Sequence, residues 1–251
     1  MEKNCKVDRT GEKYLTNEGY WLTIIEYFGW DNCTIQFECG LVLNCIRYDH
    51  IKNGRIKNPL HTSTYGIGYI GVGTYKAEVG KKVCVNYMVW QGMLRRCYSK
   101  KYKDKNPTYK DVTVCEEWHN FQNFAAWFEE NHIEGFHLDK DILVKENKIY
   151  SPETCCFVPA EINTLLTKTN SKRGKYPIGV CFSKRGRKFG ASFNKEGKKL
   201  HLGFFNTPEE AFQAYKTAKE EYIKEVADKW RKQITEQTYQ ALINYKVEIT
   251  D

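Results

Sequence analysis

Residues 207–230 read TPEEAFQAYKTAKEEYIKEVADKW and predict one long amphipathic helix. Thr207 stands at the N-cap position, Pro208 at the first helical position, and Glu210 completes a capping box. The apolar side chains recur at helical spacing and form one face: Phe212, Tyr215, Ala218, Tyr222 and Val226. A helix with one such face needs a sheet or another helix to cover it.

Three strand-like runs precede this helix and predict the sheet that it covers. They are PIGVCF at 177–182, KFGASFN at 188–194 and KLHLGFF at 199–205. The polar, basic stretch at 165–177 is the best candidate for a linker before them. Because the helix covers one face, we expect the other face to meet solvent or a ligand. Its candidate polar side chains are Ser183, Arg185, Arg187, Ser192, Asn194, Lys199 and His201.

Two further amphipathic helices are predicted upstream, at 86–98 and 117–132. Their aromatic stripes are typical of a protein core. Arg95 and Arg96 stand beside the buried face of the first helix and are candidates for contacts with a polyanion. The core positions are Tyr87, Trp90, Leu94 and Cys97 in the first helix, and Trp118, Phe121, Ala125 and Phe128 in the second.

The N-terminal part predicts a small antiparallel β unit. Residues 20–48 alternate short apolar runs with two turn signals. The stretch YGIGYIGVG at 65–73 contains G-x-G-x-x-G, but no strand precedes it and no helix follows it. A dinucleotide loop requires both, so we do not assign one here.

The net charge of +8 is concentrated in two blocks. Residues 168–232 carry 17 Lys or Arg against 7 Asp or Glu, and residues 81–110 carry nine against one. Such blocks favour a polyanion partner, and solvated surface lysines are the alternative explanation for each block alone.

We expect a soluble, cytoplasmic protein with no membrane partner. No apolar run approaches the ~20 residues that cross a bilayer. The ten cysteines are scattered and include no C-x-x-C pair, so reduced thiols are expected and no zinc motif is present. The sequence leaves the oligomeric state open.

Together these signals predict an α+β protein. Residues 1–80 form a small β-rich module, residues 81–167 contain the two upstream helices and, on the second resemblance described below, a ββα core, and residues 172–251 contain the three-stranded antiparallel sheet packed on one long helix.

Residues 175–230 resemble the ERF-type DNA-binding domain of plant transcription factors, which also occurs fused to phage homing endonucleases. The resemblance rests on IGV, KFGASF and LHLGFFNTPEEAFQAY. It implies that the sheet reads double-stranded DNA. The family's base-reading roles would fall to Arg185 and Lys199, with His201 in place of a tryptophan, and Cys181 and Ser183 in place of arginines.

Residues 137–163 resemble the HNH (ββα-metal) nuclease core in a degenerate phage form, because LDK precedes YSPETC. The resemblance implies an Mg²⁺ or Mn²⁺ ion held by Asp139 and Asn163. Lys140 occupies the position of the catalytic histidine, and a lysine with a pKa of ~10.4 is a poor general base at neutral pH.

Three interpretations of this stretch stay open. His137 would share a strand face with Asp139 and Asp141 and could activate water in place of Lys140. Lys140 could instead clamp a phosphate while a metal-bound hydroxide reacts. In the third, Asp139 and Asp141 pair with lysines or cap a turn on a fold that has kept only its shape.

The resemblances therefore imply a double-stranded DNA-binding protein of the phage homing-endonuclease type. One hypothesis makes it a metal-dependent nicking enzyme with His137, Asp139 and Lys140 as catalytic residues. The alternative makes it a catalytically degenerate DNA-binding regulator or counter-defence factor. A protein-interaction role for the basic blocks has no motif of its own.

Overall fold

The computed structural model describes residues 7–167 and 175–249 and shows a mixed α+β protein, as the sequence predicts. Residues 168–174 of the expected linker lie outside the described residues. The strands are β1 Lys13–Leu15, β2 Trp21–Gly29, β3 Asn32–Phe37, β4 Val42–Ile46, β5 Glu78–Val79, β6 Lys82–Val83, β7 Thr113–Val114, β8 Phe136–Asp139, β9 Ile149–Tyr150, β10 Cys156–Pro159, β11 Val180–Ser183, β12 Lys188–Lys195 and β13 Lys198–Phe205. The α-helices are α1 Tyr48–Lys52, α2 Val85–Tyr98, α3 Lys100–Lys105, α4 Phe121–Asn131, α5 Ala160–Leu166, α6 Pro208–Trp230 and α7 Glu236–Ile243.

The N-terminal module is an antiparallel meander of strands β1 to β4 in sequence order. Leu22 and Ile24 of β2 form a small core with Cys33, Ile35 and Phe37 of β3, and Ile51 of α1 packs against it. Strand β1 was not predicted, because its three residues are too few to show an alternating pattern.

The glycine-rich segment at 64–73 packs against the central helices. A Cβ at Gly68 would lie 2.4 Å from Leu94 Cδ1, and one at Gly71 would lie 2.0 Å from Asn120 Oδ1. These glycines are therefore explained by close packing. Ile67, Ile70 and Tyr75 also contact the central core, so hydrophobic contacts of the central part begin before residue 80.

Helices α2 and α4 build the central core. All the predicted core positions are buried except Tyr87, which is partly buried. Helix α4 begins at Phe121, four residues later than predicted, because the Asn120 side chain accepts a hydrogen bond from the backbone N–H of Gln122 and caps it. Trp118 lies before it in a 3₁₀ turn, Glu116–His119.

Residues 136–166 form a strand–loop–strand–helix unit. Strand β8 pairs antiparallel with β10, with Asp139 opposite Cys156, and α5 follows β10 directly. The side chains along β10 alternate between two cores. Phe157 belongs to the central core, whereas Cys156 and Val158 belong to the C-terminal core.

The C-terminal sheet has the order β11-β12-β13, is antiparallel throughout, and packs on α6. The capping box at Thr207 and Glu210 is present. Helix α6 also contributes Phe212, Tyr215 and Ile223 to a core that includes Ile162 of α5. The C-terminal module and the ββα unit therefore share one hydrophobic core across the predicted linker.

No helix within residues 7–167 and 175–249 has the length and apolar character to cross a bilayer. The nine described cysteines are free thiols.

Candidate nucleic-acid interface and ββα cleft

The uncovered face of the C-terminal sheet brings several predicted residues together. Ser192 of β12 lies opposite His201 of β13, and Asn194 lies opposite Lys199. Directly opposed residues in an antiparallel pair project to the same face. We call this surface the sheet face, and its members are Cys181, Ser183, Lys188, Gly190, Ser192, Asn194, Lys199, His201 and Phe204.

Arg185 and Arg187 are not on the sheet face, which corrects the sequence prediction. Strand β11 ends at Ser183, and residues 184–187 form the turn to β12. Arg187 has a φ of 48°, a left-handed conformation that the reversal of the chain imposes. Both arginines are exposed at one end of the sheet.

Several side chains of the sheet face make no hydrogen bond or ion pair within the described residues. Within residues 7–167 and 175–249, no side-chain hydrogen bond or ion pair involves Ser192, Asn194 or Lys199, and the same holds for Arg185 and Arg187. Residues 175–205 carry eight Lys or Arg and one Glu. Lys188 and Lys199 belong to the sheet face itself and none of its members is acidic, so this surface is polar, positively charged and available to a partner.

Sequence reasoning missed Phe204, because a β-bulge changes the alternation along β13. Ala191 pairs with Gly203, but the next residue, Ser192, pairs with His201, so one residue of β13 is skipped and the register shifts. The extra residue, Leu202, places Phe204 beside His201 on the sheet face. The available signal was Gly203, since a glycine inside a strand often marks a bulge; its φ is 132°.

The second candidate region is a cleft of about 1020 Å³ between α2 and the ββα unit. It brings together the predicted catalytic and metal-binding residues and one of the two predicted arginines of α2: His137, Asp139, Lys140, Asn163 and Arg96. We call it the ββα cleft. Lys148 and Asp141 also line it, so its charge is mixed.

Asp139 caps the turn that follows β8. Its Oδ1 accepts hydrogen bonds from the backbone N–H groups of Asp141 at 2.7 Å and Ile142 at 3.0 Å. Burial raises the pKa of the Asp139 carboxyl above its ordinary value, although these two hydrogen bonds oppose the shift. The arrangement matches the turn-capping interpretation of the sequence.

Lys140 is buried and its ammonium group is engaged inside the protein. Nζ donates to Asp141 Oδ1 at 2.6 Å and to the carbonyl oxygen of Asn147 at 2.7 Å. It also lies 5.9 Å from the centroid of the Tyr150 ring. These contacts hold the loop between β8 and β9 and give the predicted catalytic or phosphate-clamping role of Lys140 no support.

His137 is exposed, and its Nδ1 lies 3.4 Å from Nδ2 of Asn163 on α5. The structure therefore joins these two predicted residues across the strand and the helix. The expected face shared by His137, Asp139 and Asp141 is wrong for Asp141, because β8 ends at Asp139 and Asp141 lies in the turn.

The two predicted arginines of α2 have different surroundings, because consecutive helical residues point about 100° apart. Arg96 is half-buried, donates from Nε to the Tyr150 hydroxyl at 3.1 Å, and stacks over that ring. Arg95 is exposed, with its guanidinium 5.5 Å from the centroid of Tyr102.

The cleft offers few free carboxylate oxygens to a divalent metal ion, because Oδ1 of Asp139 and the carboxylate of Asp141 already have partners within the protein. Mg²⁺ and Mn²⁺ prefer oxygen ligands, of which Asp139 and Asn163 are the predicted sources. Oδ1 of Asp139 is already used by two backbone N–H groups, and Asp141 is paired with Lys140. In the part of the chain that the structure describes, no group of three or more His, Cys, Asp or Glu side chains could hold an ion.

Comparison with protein-family models, curated proteins and solved structures finds no match to this chain. The DNA-binding and nuclease hypotheses therefore rest on the motifs and the geometry given above.

Proposed function

We propose that this chain is a double-stranded DNA-binding protein whose C-terminal sheet lies in the major groove. The observation that carries the proposal is the sheet face, where the exposed side chains of Asn194 and Lys199 make no hydrogen bond or ion pair within the described residues. The major groove is wide enough for β-strands, and several DNA-binding proteins insert them there. Helix α6 packs on the opposite face of the sheet.

The positions of these side chains suggest that some contact phosphates and others contact base edges. Arg185 and Arg187 stand in the exposed turn at one end of the sheet, where they would contact phosphates. Asn194 and Lys199 lie opposite each other on the strands, where they would face base edges. The ERF-type resemblance of residues 175–230 supports the same orientation.

The ββα cleft supports a structural role better than a catalytic one. Asp139 caps a turn through Oδ1, and the ammonium group of Lys140 is bonded to Asp141 and to the Asn147 carbonyl inside the loop. We therefore favour the catalytically degenerate form of the DNA-binding hypothesis. The competing endonuclease hypothesis retains the contact between His137 and Asn163 in its favour.

A charge-removal experiment tests DNA binding. In the variant Arg185→Ala/Arg187→Ala/Lys199→Ala, the Kd for duplex DNA should rise on the order of 10²-fold, and the slope of log K against log salt should fall by about 2, the value for two lost phosphate contacts. The matched control Lys13→Ala/Lys224→Ala/Lys232→Ala removes three exposed cations that lack ion pairs among the described residues. Equal effects of the two triple variants would contradict the proposal.

A nicking assay separates the two hypotheses. We expect the unmodified chain to leave supercoiled plasmid intact in Mg²⁺ or Mn²⁺. Nicking that stops with a chelator and is lost in both His137→Ala and Asn163→Ala would establish the endonuclease hypothesis instead, because neither side chain is buried.

A further inference from the structure

Phe204 is an exposed aromatic ring on an otherwise polar surface. It is 56% exposed, whereas Phe193, Phe212 and Tyr222 of the same module are each less than 9% exposed and form its core. The ring is therefore not needed to bury the sheet against α6. A large apolar group kept on a face of polar and basic side chains calls for a partner with an apolar feature.

The surroundings of Phe204 hold its ring in place. Phe204 pairs with Gly190, and a Cβ on that glycine would lie 3.3 Å from Cε1 of Phe204 and 3.5 Å from Sγ of Cys181. The ring centroids of His201 and Phe204 are 4.5 Å apart. Gly190 thus leaves room for the phenyl ring to lie against the strand while more than half of it stays exposed.

The edges of base pairs in the major groove carry one apolar group in ordinary DNA, the C5-methyl group of thymine. Phenyl rings are among the groups that contact this methyl. The polar neighbours of Phe204 on the sheet face suit the remaining donors and acceptors of the groove, because Ser192 and Asn194 can donate or accept hydrogen bonds and Lys199 can donate them.

We propose that Phe204, held by Gly190, Cys181 and His201, is the receptor for the C5-methyl group of a thymine in the major groove. This assignment rests on the proposed function and adds a specificity to it. The sheet then discriminates in favour of sites with thymine at the contacted position. Because one buried methyl group contributes ~0.8 kcal/mol, its removal should weaken binding about fourfold.

The test compares the full chain on two probes, an alternating adenine–thymine duplex and the same duplex with deoxyuridine in place of thymidine. The probes carry the same phosphates, so the salt-dependent part of binding is common to both. We expect about fourfold weaker binding to the uracil duplex, and in Phe204→Ala we expect equal binding to both. Phe28→Ala, which alters another exposed phenylalanine, should keep the wild-type preference.

The outcomes are distinct. Equal affinity of the wild-type chain for the two duplexes overturns this inference and leaves DNA binding intact. A thymine preference that persists in Phe204→Ala also overturns it. Failure to bind either duplex overturns the proposed function itself. The wild-type comparison needs no variant, so it can overturn the inference even if a substitution impairs folding.

Discussion

The ββα cleft and the sheet face differ in where their polar side chains find partners. In the cleft, Asp139 accepts two backbone N–H groups and Lys140 donates to Asp141 and Asn147. On the sheet face, Asn194 makes no side-chain hydrogen bond within the described residues. Groups that are satisfied internally stabilise a fold, whereas exposed groups without partners are available for binding. This difference favours a structural role for the ββα cleft and supports the proposal that the sheet face is the recognition surface.

The largest expected effect is on Lys140. Lys140→Met removes two charge-assisted hydrogen bonds and leaves the Asn147 carbonyl without this donor, so we expect the free energy of unfolding to fall by about 2 to 3 kcal/mol. Urea denaturation followed by circular dichroism measures this change.

Lys148→Met is the matched control, because Lys148 is exposed in the same loop. It should change the free energy of unfolding by less than about 0.5 kcal/mol. Equal changes in the free energy of unfolding for the two variants would show that Lys140 does not stabilise the loop. The contrast between the ββα cleft and the sheet face would then lose its main support.

Two substitutions at Asp139 separate a turn cap from a metal ligand. Asp139→Ala leaves two backbone N–H groups without an acceptor and should cost about 1 to 2 kcal/mol of stability. Asp139→Asn keeps an acceptor oxygen and should be close to neutral in stability. Isothermal titration with Mg²⁺ should detect no binding to the wild-type chain. Binding that disappears in Asp139→Asn would instead identify Asp139 as a metal ligand.

The pH dependence of the Asp139→Asn variant follows from the raised pKa of the carboxyl. The folded state binds this proton more tightly than the unfolded state, so the contribution of Asp139 to stability falls as pH rises from ~3.9 through the folded pKa. Relative to wild type, Asp139→Asn should therefore be more favourable at neutral pH than below pH ~3.9. The opposite trend in pH-dependent urea denaturation would contradict the burial of this carboxylate.

Local signals were enough to predict much of the C-terminal module. The capping box at Thr207 and Glu210 fixes where α6 begins, and the apolar spacing from Phe212 to Val226 fixes its buried face. Three short runs before it predict three strands, and a sheet with one helix has one uncovered face. These features depend on residues that are close in sequence.

Other features depend on contacts that no local pattern records. The bulge at Leu202 moves Phe204 onto the sheet face, and the reversal at Arg187 takes that residue off it. The partners of Lys140 come from a loop whose path the sequence does not specify. The shared core of α5 and α6 likewise forms between residues that are far apart in the sequence, such as Ile162 and Phe212.

The smallest effects are expected for substitutions of two arginines, one from each region. Arg96 donates to the Tyr150 hydroxyl and stacks over that ring, whereas Arg185 is exposed in a turn and makes no such contact within the described residues. Arg96→Met should lower the free energy of unfolding by about 1 to 2 kcal/mol and leave the salt dependence of DNA binding unchanged. Arg185→Met should change stability by less than about 0.5 kcal/mol, yet lower the slope of log K against log salt by about 0.9, the value for one lost phosphate contact. Both proteins lose one positive charge, so a difference between them reflects position and not net charge. If Arg96→Met instead lowers the slope and spares stability, the cleft binds the DNA backbone, and recognition extends beyond the sheet face.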